Sequence, residues 1–293
     1  MSPLSRLAWN RDVAGSSRPW RVLALDSLDV AGLPREYIVK HFRSDQRLAR
    51  ITEYVAGRFA YDTQINAPEP VIVEFTPAFL ADLASLPTPP RDVARAEPGL
   101  HVAFEWNQYA VCMMETHGSL NSLERPEQVG EIIGVDTVLI NFDRSPANIL
   151  VELLTVGRGT PAHVLHPIDW DLSFAGGIYD FSELTREGLL SSQKPWTDSG
   201  KVVHDALSTR VRSVDDLRSA ISKLRLWENA RARIQLVIKG MPREWAVTAE
   251  QQAALVQFFL RRVASTIAGL QAPDDPNRAF PNWQASLPLD STA

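Results

Sequence analysis

The run Asn141-Phe142-Asp143-Arg144-Ser145-Pro146-Ala147-Asn148-Ile149-Leu150-Val151 constrains this chain more than any other stretch. Upstream, residues 127–142 read as an apolar helix that runs into Phe142. Downstream, residues 149–155 (ILVELLT) read as a strand. The turn formers between them force a change of direction within a few residues. The run therefore sets an aspartate and, five positions later, an asparagine at the entry to an apolar strand. A second apolar strand, 163–168, follows a turn marked by Gly157 and Gly159 and ends on Ile168-Asp169-Trp170-Asp171.

The rest of the pattern supplies a frame. Residues 19–25 and 36–42 read as short strands, with Asp29, Gly32 and Pro34 suited to the turn between them. Over 45–61, Leu48, Ile51, Val55 and Phe59 recur at helical spacing. Ala49, Glu53, Ala56, Gly57 and Ala60 form an adjoining stripe of small residues around one glutamate, which lets another element come close to it. A strand is predicted over 71–75 and a loop over the proline-rich 85–100. Residues 101–114 fit either a strand pair or a connecting segment. From 214 the pattern turns helical, with Leu217, Ala220, Ile221 and Leu224 on one face. Thr248-Ala249-Glu250-Gln251 fits a capping box opening a helix to about 269. The order predicts an α+β fold of two lobes: a β-rich N-lobe over 1–112 and a mostly helical C-lobe over 113–293.

Composition excludes several classes. Hydrophobic residues make up 45% of the 293, as in an ordinary globular chain, and the net charge of −5 argues against a non-specific nucleic-acid binder. No apolar run is long and uninterrupted enough for a membrane span, and no signal-type segment opens the chain. The one cysteine, Cys112, has no partner for an intramolecular disulfide, which predicts a cytoplasmic setting. His163 and His166 alone make a weak metal signal.

Four pieces carry chemistry. Gly15-Ser16-Ser17-Arg18 is a small-residue loop whose backbone N–H groups can approach a polyphosphate closely. Lys40, ending Tyr37-Ile38-Val39-Lys40, can direct an ammonium at α/β-phosphates, with Glu53 on the next helix to hold it. Asp143 and Asn148 have the spacing of a phosphotransfer loop: the acid takes a hydroxyl proton and the amide oxygen helps hold Mg²⁺. Asp169 can bind the Mg²⁺ that bridges the phosphates, and Asp171 points the same way if the strand continues. Each piece alone has a plain reading as a loop, a surface pair or a turn. Their order, in matching structural contexts, is what carries weight. Asp136 and Asp180 read as helix or turn caps.

These residues resemble the HipA-like kinase family, in particular its compact branch without an extra N-terminal subdomain. The similarity runs through Gly15–Pro19, YIVK, Glu53 in TEYVAGRFA, NAPEPVIVEF, Asp136-Thr137, NFDRSPANILV, Ile168-Asp169 and the segment IKGMPREW with QFFLRR. It spans about residues 14–265. The resemblance implies a bilobal protein-kinase-like fold and ATP-dependent, Mg²⁺-dependent phosphorylation of protein Ser or Thr. It implies that Gly15, Ser16, Ser17, Arg18 and Lys40 bind ATP and that Glu53 anchors Lys40. Asp143 is then the catalytic base, with Asn148 and Asp169 as metal ligands. Some relatives are restrained by phosphorylation in the phosphate loop, which makes Ser16 and Ser17 candidates. A protein substrate and an antitoxin-like or regulatory protein partner are expected, with no membrane and no direct nucleic-acid ligand. Ser145 stands where the family usually has His, so two alternatives stay open. One is a catalytically weak pseudokinase serving as a nucleotide- or partner-binding module; the other is a kinase acting on a small molecule or tRNA.

Overall fold

A five-stranded antiparallel sheet forms the first part of the chain in a computed structural model that describes residues 5–12, 19–25, 34–116, 119–154, 162–176, 181–185, 196–197, 200–201, 205–273 and 276–284. Its strands are β1 (Ser5–Asp12), β2 (Trp20–Leu25), β3 (Arg35–Lys40), β4 (Pro70–Phe75) and β5 (Gly99–Glu105), in the order β1-β2-β3-β5-β4. Side chains alternate along β4 and β5, as the period of two demands. Ile72, Val102 and Phe104 join the main core, whereas Val73, Phe75 and Ala103 join a second cluster with Trp20, Val22 and Val39. Leu83 of helix α2 (Pro77–Ala84) closes that second cluster.

Helix α1 (Arg47–Asp62) packs between the sheet and the helical half. Ile51, Val55 and Phe59 are buried as the spacing predicts. Phe59 lies 4.7 Å from Trp227 and 4.9 Å from Phe259, ring centre to ring centre. Each such aromatic pair adds roughly 0.5–1.5 kcal/mol beyond its buried area. The two contacts tie the helix that carries Glu53 to the helical half.

That half is built on α3 (Gln128–Leu139), α4 (Arg218–Arg225), α5 (Arg231–Lys239) and α6 (Ala249–Gln271). Every residue of α3 is buried. Its two glycines make this possible. A Cβ on Gly134 would lie 2.9 Å from that of Ala220, and one on Gly130 would overlap the Asp216 carbonyl oxygen. The predicted capping box opens α6: Gln251 N donates to Thr248 Oγ1 at 3.3 Å and Thr248 N donates to Gln251 Oε1 at 3.0 Å. Among the described helices α6 is the one long and apolar enough to cross a membrane by length and composition. Its buried residues, among them Leu255, Phe258, Phe259 and Val263, belong to the main core, which accounts for that hydropathy.

A three-stranded antiparallel sheet, β6 (Ala110–Cys112), β7 (Ile149–Leu154) and β8 (Ala162–Pro167), carries the predicted hairpin. The ambiguous segment 101–114 thus divides into β5 and β6, which belong to different sheets. Three elements differ from expectation, the unpredicted helix α2 among them. β1 was not predicted, because register shifts between Ser5 and Ala8 and between Trp9 and Arg11 break its alternation. The helix expected over 127–142 ends at Leu139, where Ile140 turns left-handed at φ 50°.

Candidate active site

Lys40 ends β3 and is buried, 6% exposed, so its ammonium needs partners. It finds three acids. Nζ donates to Glu53 Oε2 at 2.9 Å, pairs directly with Asp169 Oδ1, and lies 3.4 Å from Asp171 Oδ2. Glu53 comes from α1 and is fully buried. Its Oε2 also accepts the Trp170 backbone N–H at 3.1 Å. The stripe of small residues allows this approach: a Cβ on Gly57 would sit 3.1 Å from the Phe104 ring and 3.5 Å from Trp170.

Asp171 reaches Lys40 by a route other than the one expected. β8 ends at Pro167, and Asp169 adopts a left-handed φ of 62°. A turn, and not a continued strand, brings the two carboxylates together.

Charge sharing sets the protonation tendencies. Burial disfavours the Lys40 ammonium, but Glu53, Asp169 and Asp171 outweigh it and hold its pKa above the ordinary value. Burial pushes Glu53 up to about 7 against the pull of Lys40. Burial opposes ionisation of Asp169, but Lys40 prevails and holds it below the usual carboxylate range. Asp171 is pushed up to about 6 by burial, with Lys40 opposing and Asp169 adding to the rise.

The loop before β7 holds the second group. Asn148 Nδ2 donates to Asp143 Oδ2 at 2.8 Å and to the Asp143 carbonyl at 2.7 Å. With its NH₂ so committed, the amide presents its oxygen away from Asp143. Asn141 Oδ1 accepts the Asp143 N–H at 3.2 Å and steadies the turn. Ile168 N donates to the Asn148 carbonyl at 3.0 Å, which joins this loop to the segment bearing Asp169.

A buried brace lies beneath, and sequence reasoning missed it. Arg144 and Asp136 are 2% and 1% exposed and pair at 3.0 Å. Arg144 Nη1 donates to the carbonyls of Asn148 and Ile168, both at 2.6 Å, and its guanidinium lies 4.3 Å from the Trp170 ring centre. Asp136 also accepts Asn141 Nδ2 at 3.0 Å. It is therefore the buried counter-ion of the loop arginine and not a cap. Arg262 of α6, itself buried, donates to the Thr137 and Val138 carbonyls at the end of α3. The lone acid in the apolar run IIGVDTVLI was the available signal for the brace. Ser145 sits at the head of the single turn Pro146–Asn148, where its carbonyl accepts Asn148 N–H at 3.0 Å.

The structure thus gathers Lys40, Glu53, Asp169 and Asp171 into one cluster and Asp143 with Asn148 into another, joined by Arg144 and Ile168. Gly15, Ser16, Ser17, Arg18 and Asp180 lie outside the described residues. His163 and His166 have separate partners, Ser122 for the first and Glu152 with the Asn66 carbonyl for the second.

No family model matches the chain. No curated protein matches it by sequence. Among solved structures, the chain is similar to the proinflammatory kinase CtkA of Helicobacter pylori, with a TM-score of 0.55 and 14% identity over 90% of this chain and 95% of that one. The fold is accordingly the bilobal, kinase-like α+β fold: a β-sheet N-terminal part with one long helix and a helical C-terminal part.

Proposed function

We infer that the chain is an ATP-dependent phosphotransferase, a HipA-like kinase acting on protein serine or threonine hydroxyls. The observation that carries this reading is the buried Lys40–Glu53 pair at 2.9 Å, closed by Asp169 and set beside an Asp143–Asn148 pair at 2.8 Å. A surface role would not require Lys40 and Glu53 to be buried together. A kinase-type nucleotide site uses a lysine held in place by a glutamate. The kinase-like fold supports the reading.

The donors present fit Mg²⁺. Asp169 offers a carboxylate and Asn148 an amide oxygen, both hard ligands of the kind that ion takes. Bound there, Mg²⁺ would neutralise charge on the transferring phosphoryl group. The protein's residues do the rest. Lys40, held by Glu53, orients the α/β-phosphates of ATP. Asp143 accepts the proton of the acceptor hydroxyl as that oxygen attacks the γ-phosphorus. The bond from the γ-phosphorus to the bridging oxygen breaks and the electron pair leaves with ADP. Asn148, bonded to Asp143, fixes the base at the attacking oxygen. Arg144 ties the loop together through the Asn148 and Ile168 carbonyls.

The test separates binding from transfer. Asp143→Asn should abolish phosphate transfer and leave ATP affinity nearly unchanged. Asp169→Asn should weaken Mg²⁺-dependent ATP binding, and Lys40→Met should reduce both. Full activity in Asp143→Asn would overturn the assigned base.

A further inference from the structure

The metal ligands named above are one amide and one carboxylate, yet the structure brings another acid to the same place. Glu53, Asp169 and Asp171 each present an oxygen within 4.8 Å of the others. Three carboxylates face one ammonium, so the fully ionised cluster is short of two positive charges. Glu53 Oε1 is buried and accepts no hydrogen bond, which leaves an unused acceptor inside the cluster. The side chain of Asp171 is 23% exposed, so an ion can reach it. The left-handed turn at Asp169 is what folds Asp171 back onto the site.

We propose that Asp171 is a direct ligand of the divalent cation together with Asp169, so that the site takes up Mg²⁺ or Mn²⁺ before nucleotide arrives. This rests on the reading of Asp169 as a metal ligand. Hard cations prefer carboxylate oxygen, and their affinity rises with the number of charged ligands. A second carboxylate gives the site the two charges a divalent ion neutralises. When both aspartates turn to the ion, Lys40 keeps Glu53, so the lysine stays positioned for phosphate.

Titration of the nucleotide-free full chain with Mn²⁺, followed by the paramagnetic resonance signal of free Mn²⁺, tests this without any turnover. Wild type should bind the ion saturably. Asp171→Asn should bind it at least about 10-fold more weakly, as should Asp169→Asn. Melting in EDTA checks that each variant is folded, and Asp171→Ser replaces Asp171→Asn if the latter is not. Asp171→Asn binding within about twofold of wild type while Asp169→Asn loses the ion would overturn the role of Asp171. So would a wild type that takes up no Mn²⁺ without nucleotide. If Mn²⁺ binding follows the expected order but no phosphate is ever transferred, the metal inference stands and the phosphotransfer reading fails.

Discussion

Replacing Arg144 by methionine tests the brace beneath the candidate active site. The change keeps bulk and removes charge. Asp136, 1% exposed, then keeps only its Asn141 bond among the contacts described above. Breaking a buried ion pair by deleting one partner costs about 3–5 kcal/mol. The partly buried Ile168 carbonyl loses its arginine donor, at up to about 1–3 kcal/mol. The Asn148 carbonyl suffers less, since Ile168 N still donates to it at 3.0 Å. Burial already raises the Asp136 pKa, so the stranded acid can take a proton and recover part of the loss. The net expectation is about 4 kcal/mol. At about 2–4 °C per kcal/mol for domains somewhat smaller than this chain, Tm should fall by roughly 8–16 °C. Scanning calorimetry reads it. The double variant Asp136→Leu/Arg144→Met should regain much of the stability, because an apolar pair can replace a buried ion pair at little cost. A single-variant loss below about 1 kcal/mol, or a double variant no better than the single, would refute a coupled buried brace.

Other outcomes follow from the same structure. His101 is 1% exposed, and burial, with Arg50 and His41 nearby, pushes its pKa down to about 3, from an ordinary value of 6.5. The unfolded chain therefore binds the proton first, so stability is fully present above pH 6.5 and is lost as pH falls toward 3. Between pH 8 and pH 5 the loss should be about 2 kcal/mol, and urea unfolding of His101→Gln should show a flatter profile. Gly130→Ala should destabilise by about 1–3 kcal/mol or more, since backbone and not a flexible side chain blocks the new methyl; an unchanged denaturation midpoint would contradict that packing. Thr248→Ala should cost about 1 kcal/mol through loss of the cap on α6, read from the same midpoints.

Much of this architecture was legible in the sequence, for physical reasons that differ by element. The α1 face showed because Ile51, Val55 and Phe59 keep helical period, and the stripe around Glu53 marked where a second element would approach. β7 and β8 showed as apolar runs bounded by turn formers. β1 did not, because bulges remove the alternation that reveals a strand. α2 was missed although Thr76 accepts the Phe79 N–H and Pro77 stands at its first position, two start signals hidden beside a proline-rich stretch. Lys40, Glu53 and Asp169 were readable as chemistry by order along the chain. The convergence of Asp171 was anticipated through a continued strand; the route was not, because it depends on one left-handed residue, Asp169, that no sequence period announces. The pairing of Asp136 with Arg144 is a contact between a helix and a loop, and only the fold brings the two together.

The most direct measurement is incubation of the purified chain with γ-labelled ATP, Mg²⁺ and a serine/threonine-rich protein acceptor, wild type beside Asp143→Asn. Phosphotransfer through Asp143 predicts label on protein hydroxyls with wild type alone, while both proteins bind ATP alike. Equal label with both, or none with either despite bound Mg²⁺ and ATP, would contradict the account.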